Sequence, residues 1–316
     1  MEILLGKTAG FCYGVNNAVK KSEEYVQSNK NKKIYCLGEI VHNKRVVEDL
    51  KKEGLIFIDN LSEIDELKNS NTQNQTINSK ENNITVIIRA HGEPKSTYEI
   101  LEKNQINILD LTCPSVLAIH KIVEENVYKG IYIFLIGQKT HPETIGTYGF
   151  CDGYCSIIEN KEDIDIAFKE LLKKKRNKIL IVAQTTFSLA KFNEYVEIIK
   201  RKIEGNTNKE SKIELNIKNT ICNTTKLRQE ETEKLSKEVD YMIIIGGKNS
   251  SNTKKLNDIA IKNCKNTIMV ESYKELEERK EELEIIKNAN KVGIMAGAST
   301  PMESIEEVIA LLKNNI

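Results

Sequence analysis

The chain has 316 residues, 40% of them hydrophobic, with 47 basic and 46 acidic residues and a net charge of +1. That length exceeds what one core usually fills, so two or three domains are expected, and the balanced charge lacks the basic excess of a nucleic-acid-binding protein. There is no run of about 18 apolar residues, and the opening "MEILLGKTAGFC" lacks the pattern of a secretory signal. A cytoplasmic protein without a membrane span is therefore expected, its seven cysteines serving as thiols or ligands rather than disulfides.

"EILL" reads as a strand, followed by a helix that carries Val15, Ala18, Val19, Ser22, Tyr25 and Val26 near one face. The stretch "NSNTQNQTINSKENN" (69–83) is polar, asparagine-rich and without periodicity; it reads as a mobile surface insertion between a helix and a strand. Five near-continuous apolar runs come after it: "ITVIIRA" (84–90), "IYIFLIG" (131–137), "KILIVAQ" (178–184), "YMIIIGG" (241–247) and "KVGIMAG" (291–297). Such strands are buried on both faces, as in parallel sheets. Helical patterns follow most of them, including 252–262 and 301–313, so the alternation predicts α/β architecture.

In open α/β sheets, ligands bind beyond the carboxyl ends of the strands. The first third of the chain places Cys12, "GEIVHN" with His42 and "RAHGE" with His91 at those ends. The second third places Cys113, "THPET" with His141 and Glu143, and "AQTTFS" with Thr185 and Thr186. The last third places Cys222, "GGKNSSNT" with Ser250, Ser251 and Asn252, and "AGASTP" with Ser299. The cysteines are spaced by 101 and 109 residues. This weak repeat, longer than a solenoid unit, predicts three small α/β units around a pseudo-threefold axis, each directing one thiolate to a common centre.

One such cysteine alone reads as a small buried hydrophobe. Three at matching strand ends read as soft ligands for an iron–sulfur cluster or zinc. A closed structural site uses four protein ligands, so three imply an open position and catalysis. Cys36 and Cys264 read as core, and Cys151 and Cys155 as core or an x3-spaced metal pair. His120, inside a helical run, reads as structural, whereas His42, His91 and His141 could ligate metal or donate hydrogen bonds to an anion. "HPE" is not the HExxH of a zinc protease, and "GGKNSSNT" is neither a P-loop nor GxGxxG. It still opens a helix with small hydroxyl residues, leaving N–H groups for an anion. Thr300 to Glu303 reads as a capping box with Pro301 as the first helical residue. Two helix starts and three histidines suit a diphosphate. Glu143, at a strand end two residues past His141, is the best-placed candidate acid.

In order along the chain, "GFCYGV", "VHN", "AHGE", "TCP", "HPE", "QTT", "TICNTT…RQ", "KNSSN" and "AGAS" resemble the LytB family of 4-hydroxy-3-methylbut-2-enyl diphosphate reductases, over nearly the whole chain. The resemblance implies a three-lobed α/β fold with one central 4Fe–4S cluster, and domains at 1–112 (with the N-terminal strand and Cys12 at the centre), 113–217 and 218–316. Cys12, Cys113 and Cys222 match the cluster ligands, and the iron without a protein ligand would take the substrate's hydroxyl oxygen. His42, His91, His141, Ser250, Ser251, Asn252 and Ser299 match the diphosphate pocket. Glu143 matches the proton donor, Thr185 the threonine that hydrogen-bonds the substrate hydroxyl in the same relay, and Thr225 lies near a cluster cysteine. The implied reaction is reductive dehydroxylation of an allylic diphosphate to isopentenyl and dimethylallyl diphosphate, the last step of the methylerythritol phosphate route. No nicotinamide or flavin fingerprint is present, so the resemblance implies a ferredoxin or flavodoxin as electron donor. Tyr13, Asn223, Thr224 and Arg89 depart from common family residues without removing a matched ligand. The rival reading is a non-catalytic zinc or iron–sulfur binding module.

Overall fold

The computed structural model describes residues 1–64, 84–205 and 213–313; the asparagine-rich segment 69–83 lies outside them. Strand β1 (Glu2–Leu5) and helix α1 (Tyr13–Ser28) open the chain. One sheet is then built from β2 (Lys33–Leu37), β3 (Ile56–Ile58), β4 (Ile84–Ile88) and β5 (Asn107–Asp110), with α2 (Lys44–Glu53) and α3 (Lys95–Lys103) between them. A second comes from β6 (Tyr132–Ile136), β7 (Cys155–Ile158), β8 (Lys178–Ala183) and β9 (Glu214–Ile217), preceded by α4 (Pro114–Tyr128) and interleaved with α5 (Pro142–Tyr148), α6 (Glu162–Lys173) and α7 (Leu189–Gly205). The remainder holds α8 (Asn223–Leu235), β10 (Tyr241–Ile245), α9 (Ser251–Asn263), β11 (Thr267–Val270), α10 (Tyr273–Glu278), α11 (Lys280–Lys287), β12 (Lys291–Ala296) and α12 (Met302–Lys313).

All three sheets are four-stranded and parallel, with orders β3-β2-β4-β5, β7-β6-β8-β9 and β11-β10-β12-β1. Each obeys one rule: the second strand lies outside the first, and the third and fourth lie on the other side. In the last sheet the fourth strand is β1, from the start of the chain, whose Glu2 to Leu5 pair with Lys291 to Ile294. The N-terminal strand thus completes the sheet of the C-terminal segment.

The central strands β4, β6 and β10 are buried at every residue, as their near-continuous apolar runs require when helices cover both faces. Helix α6 illustrates the covering. Ile164, Ala167, Phe168 and Leu171 recur at helical spacing and pack on β6, with Phe168 edge-on to Phe134 at 5.4 Å. Burying a side chain of this size contributes about 1.5–3 kcal/mol. The face read from the sequence of α1 is likewise turned inward, with Ala18, Val19, Ser22 and Val26 buried. Helix α12 begins at Met302, not Pro301. The Thr300 hydroxyl reaches the end of β10 and donates to the Ile245 carbonyl at 3.1 Å.

The chain divides into two compact units. Met1–Asn16, Val41–Asp49 and Cys222–Ile316 form one and hold the β11-β10-β12-β1 sheet. Asn17–Ile40 and Leu50–Ile221 form the other and hold the remaining two sheets.

Candidate active site

The three strand-end cysteines occupy one position in the repeat. The fourth strand of each sheet runs into a cysteine that opens a helix: β5 into Cys113 and α4, β9 into Cys222 and α8, and β1 into Cys12 and α1. The Cys12 carbonyl accepts the Asn16 N–H (2.9 Å) as the first bond of α1. The Cys12 and Cys113 amides donate to the Ala298 and Ala90 carbonyls (3.3 and 3.0 Å). Those alanines stand two residues beyond β12 and β4, so the two loops are suspended from equivalent carbonyls. Each cysteine therefore sits at the N–H-rich end of a helix. At Cys222 that arrangement is explicit: its sulfur accepts the Thr225 N–H (3.3 Å) and lies 3.0 Å from the Thr225 hydroxyl. Pro114 takes the first turn of α4, where a missing N–H leaves no intrahelical bond unmade.

In the unit holding β6 and β8, the β6–α5 turn places His141 as the N-cap of α5 and Glu143 two residues later. His141 Nδ1 accepts the Glu143 N–H (3.2 Å), which puts the proton of the neutral ring on Nε2. His91, from the loop after β4, meets His141 edge-on at 5.3 Å. The end of α5 approaches that loop closely: a methyl group on its C-cap, Gly149, would lie 2.5 Å from Pro94 Cβ. Only a residue without a side chain fits at that position.

Glu143 is 2% exposed. Its carboxylate takes the Thr185 N–H on one oxygen (2.5 Å) and the Thr185 hydroxyl on the other (2.7 Å). These two bonds favour the ionised form, but burial outweighs them and pushes the carboxyl up to about 7. At neutral pH the group is divided between acid and carboxylate, a state that suits proton exchange. Sequence spacing brought Glu143 forward as a candidate acid; its pairing with Thr185, 42 residues away, comes from the ends of neighbouring strands β6 and β8.

In the other unit, the residues matched to the diphosphate pocket gather around the ends of β10 and β12. Ser250 caps α9 by accepting the Thr253 N–H (3.3 Å). The Ser299 hydroxyl donates to the His42 carbonyl (3.2 Å), and Gly247 approaches the same carbonyl so closely that a methyl there would lie 2.5 Å away. His42, Ser250, Ser251, Asn252 and Ser299 thus belong to one neighbourhood. Asn252 is 3% exposed, yet neither its amide oxygen nor its nitrogen has a hydrogen-bond partner. A buried amide left unmatched costs free energy, so its retention favours a bound polar ligand. Thr253 is a feature that sequence reasoning missed. Its side chain fills the space over Gly246 and Gly297, at distances of 2.7 and 2.2 Å from where their methyl groups would stand. It thereby seats the start of α9 directly on both strand ends.

The remaining cysteines are core. Cys36 and Cys264 are buried, and Cys151 and Cys155 join an apolar cluster with Ile133, Leu135 and Val182. Burial raises the Cys36 thiol to about 12. His120 is buried in α4, stacked on Phe150 at 4.3 Å, and lowered by burial to about 4, so it stays neutral.

A family model described as "LytB protein" matches residues 3–313. The 4-hydroxy-3-methylbut-2-enyl diphosphate reductase of Caldanaerobacter subterraneus subsp. tengcongensis is 39% identical over 99% of this chain and 97% of that protein. The enzyme of the same name from Aquifex aeolicus is 39% identical over 98% and 94%. A solved structure described as (E)-4-hydroxy-3-methyl-but-2-enyl diphosphate reductase, the terminal enzyme of the non-mevalonate pathway, is 38% identical with a TM-score of 0.66, covering 99% of this chain and 100% of that one. The structure of the corresponding reductase from Plasmodium falciparum is 30% identical with a TM-score of 0.80, covering 98% and 87%. The chain belongs to the LytB family.

Proposed function

We infer that this chain is a 4-hydroxy-3-methylbut-2-enyl diphosphate reductase, an oxidoreductase that forms isopentenyl and dimethylallyl diphosphate in isoprenoid biosynthesis. Full-length relatives bearing that name support the assignment, and the binding-module reading gives way to it. The observation that carries the mechanism is Glu143: a buried carboxyl with a pKa of about 7, paired through both oxygens with Thr185.

The net reaction replaces a C–O bond by C–H, consuming two electrons and two protons and releasing water. A LytB reductase draws its electrons through a metal cofactor, and the proposed cofactor is one 4Fe–4S cluster on Cys12, Cys113 and Cys222. The donor set suits it: three thiols at equivalent helix starts, with the buried Arg228 guanidinium in the unit of Cys12 and Cys222 retaining an unpartnered nitrogen. When bound, such a cluster supplies electrons and a Lewis-acidic iron.

The chain's own residues do the rest. His42, Ser250, Ser251, Asn252 and Ser299, together with His91 and His141, hold the diphosphate; each charge-assisted hydrogen bond contributes about 1.5–3 kcal/mol. In its protonated form Glu143 gives its proton to Thr185 Oγ1, which passes its own to the leaving hydroxyl oxygen. Burial of both side chains keeps bulk water from short-circuiting that transfer. A ferredoxin or flavodoxin is the proposed electron source and the cytoplasm the proposed location. Among the described residues, no helix is long and apolar enough to cross a membrane. The same reading takes 1–112, 113–217 and 218–316 as three domains, with β1 lent to the sheet of the third.

The test is anaerobic purification, iron and sulfide analysis, and an assay with a chemical reductant and the hydroxylated diphosphate. The reading expects about four irons per chain with matching sulfide. Protein that remains colourless and inactive after cluster reconstitution refutes it.

A further inference from the structure

Resting on the proposed cluster, we propose that Arg228 is a positioning residue and built-in counter-cation for the Cys12–Cys222 side of the metal site, and that it sets how easily that site is reduced. The first ground is a clamp. Arg228 lies on α8, the helix that Cys222 opens, and reaches back to the loop that carries Cys12. Its Nε and one terminal nitrogen donate to the Thr8 and Gly10 carbonyls, both at 2.8 Å. One turn later Glu231 accepts the Lys7 N–H (2.7 Å), the Thr8 N–H (2.8 Å) and the Thr8 hydroxyl (2.5 Å). One helix thus fixes one cysteine at its start and grips the approach to another with two side chains.

The second ground is the repeat. Counted from the helix-opening cysteine, Arg228 occupies the same place as Ala18 in α1 and Ile119 in α4. All three positions are buried, at 2%, 0% and 1% exposure. The fold accepts a methyl or a butyl group there twice, so packing alone does not call for a guanidinium. A buried cation is costly unless it is compensated. Here two carbonyls and the Glu231 carboxylate supply part of that compensation, and the remaining terminal nitrogen has no partner. Burial lowers the Arg228 pKa, and the nearby Cys12, Cys222 and Glu231 work against that shift. An anionic iron–thiolate centre is the missing compensation. A fixed positive charge beside such a centre stabilises its reduced form, which carries one more negative charge.

The experiment compares reduction midpoints of the anaerobically purified holoprotein by spectroscopic redox titration, with iron content and thermal midpoint measured alongside. Arg228→Gln is expected to shift the oxidised-to-reduced ratio at fixed potential about tenfold toward oxidised, a change of about 59 mV for one electron. Arg228→Lys keeps the charge and is expected to stay within about twofold of wild type. Should Arg228→Gln fail to load iron, Glu231→Gln provides an independent measurement. It removes a negative charge from the same place, so its ratio is expected to move toward reduced. Unchanged midpoints in iron-loaded Arg228→Gln, or in Glu231→Gln, overturn the proposal and assign Arg228 a purely structural role. Wild-type protein without a cluster would instead overturn the cluster reading itself.

Discussion

Replacing Glu143 by Gln separates the cost of the proposed proton donor from its use. The amide preserves both contacts: its oxygen accepts the Thr185 N–H, and its nitrogen donates to the Thr185 hydroxyl. What disappears is the titration. In the wild type the folded-state pKa of about 7 stands above the ordinary 4.5. Between those values the unfolded chain releases a proton that the folded chain keeps, so folding stability falls as pH rises through this window. At about 1.36 kcal/mol per pKa unit, the full loss is roughly 3 kcal/mol above pH 7. The assay is urea unfolding of wild type and variant at several pH values; subtracting the two curves cancels every other titrating group. The variant is expected to gain roughly 3 kcal/mol relative to wild type between pH 4 and pH 8. Turnover of the cluster-loaded variant is expected to drop about 10²–10⁴-fold with iron content unchanged, and wild-type turnover is expected to decline above pH 7. A stability difference that does not vary with pH would refute the burial argument, and turnover at the wild-type level would remove Glu143 from the proton path.

The same geometry carries three further expected outcomes. Asn252→Leu removes two buried polar atoms that have no partner, so the unfolding midpoint of the free protein is expected to hold or rise, while calorimetry with pyrophosphate is expected to read at least about tenfold weaker binding. Arg89→Ala leaves Glu93 buried without the guanidinium 2.8 Å away; the expected loss is about 3 kcal/mol in neutral urea unfolding. Burial already raises the Glu93 pKa, so this loss shrinks toward acid pH as the carboxyl protonates. Gly246→Ala puts a methyl 2.7 Å from Thr253 Oγ1 at a backbone φ of +148°, and is expected to cost about 1–3 kcal/mol and to weaken pyrophosphate binding in the same calorimetric experiment.

The polar residues of the candidate site are legible because the parallel-sheet pattern is local. An unbroken apolar run ends where the strand ends, and the residues next in sequence are those the sheet presents to a ligand. His42, His91, His141, Glu143, Thr185 and Ser299 are candidates on that ground. Pairings between distant segments were not legible. The β1 sequence "EILL" carries no mark of its partner, and its place beside β12 is fixed only when the last sheet is left one strand short. Arg228 and Thr253 stand inside quoted motifs, but their roles were not legible for a related reason. Each lies within a helix rather than at a strand end, and an amphipathic pattern does not distinguish an arginine turned inward from one turned to solvent.

The repeat also explains how one fold produces different chemistry at matching places. Residues 38, 137 and 246 are glycines, each directly beyond the first strand of its sheet. From the last two, a four-residue step reaches the helix N-caps His141 and Ser250, and two more residues reach Glu143 and Asn252. In the third copy the corresponding positions are His42 and Lys44. The backbone thus offers one location beside a helix start three times, and the side chain decides its use. At Glu143 burial raises the carboxyl to about 7, with Thr185 as its partner. At Asn252 burial leaves an amide without a hydrogen-bond partner. Lys44 turns to the Glu271 carboxylate at 2.9 Å, an ion pair that is 72% exposed on the lysine side. Exposure removes the desolvation that acts on the other two. Depth at the strand end therefore separates acid, ligand and surface pair, and carrying Glu143 at the buried place costs the free protein stability that Glu143→Gln should restore.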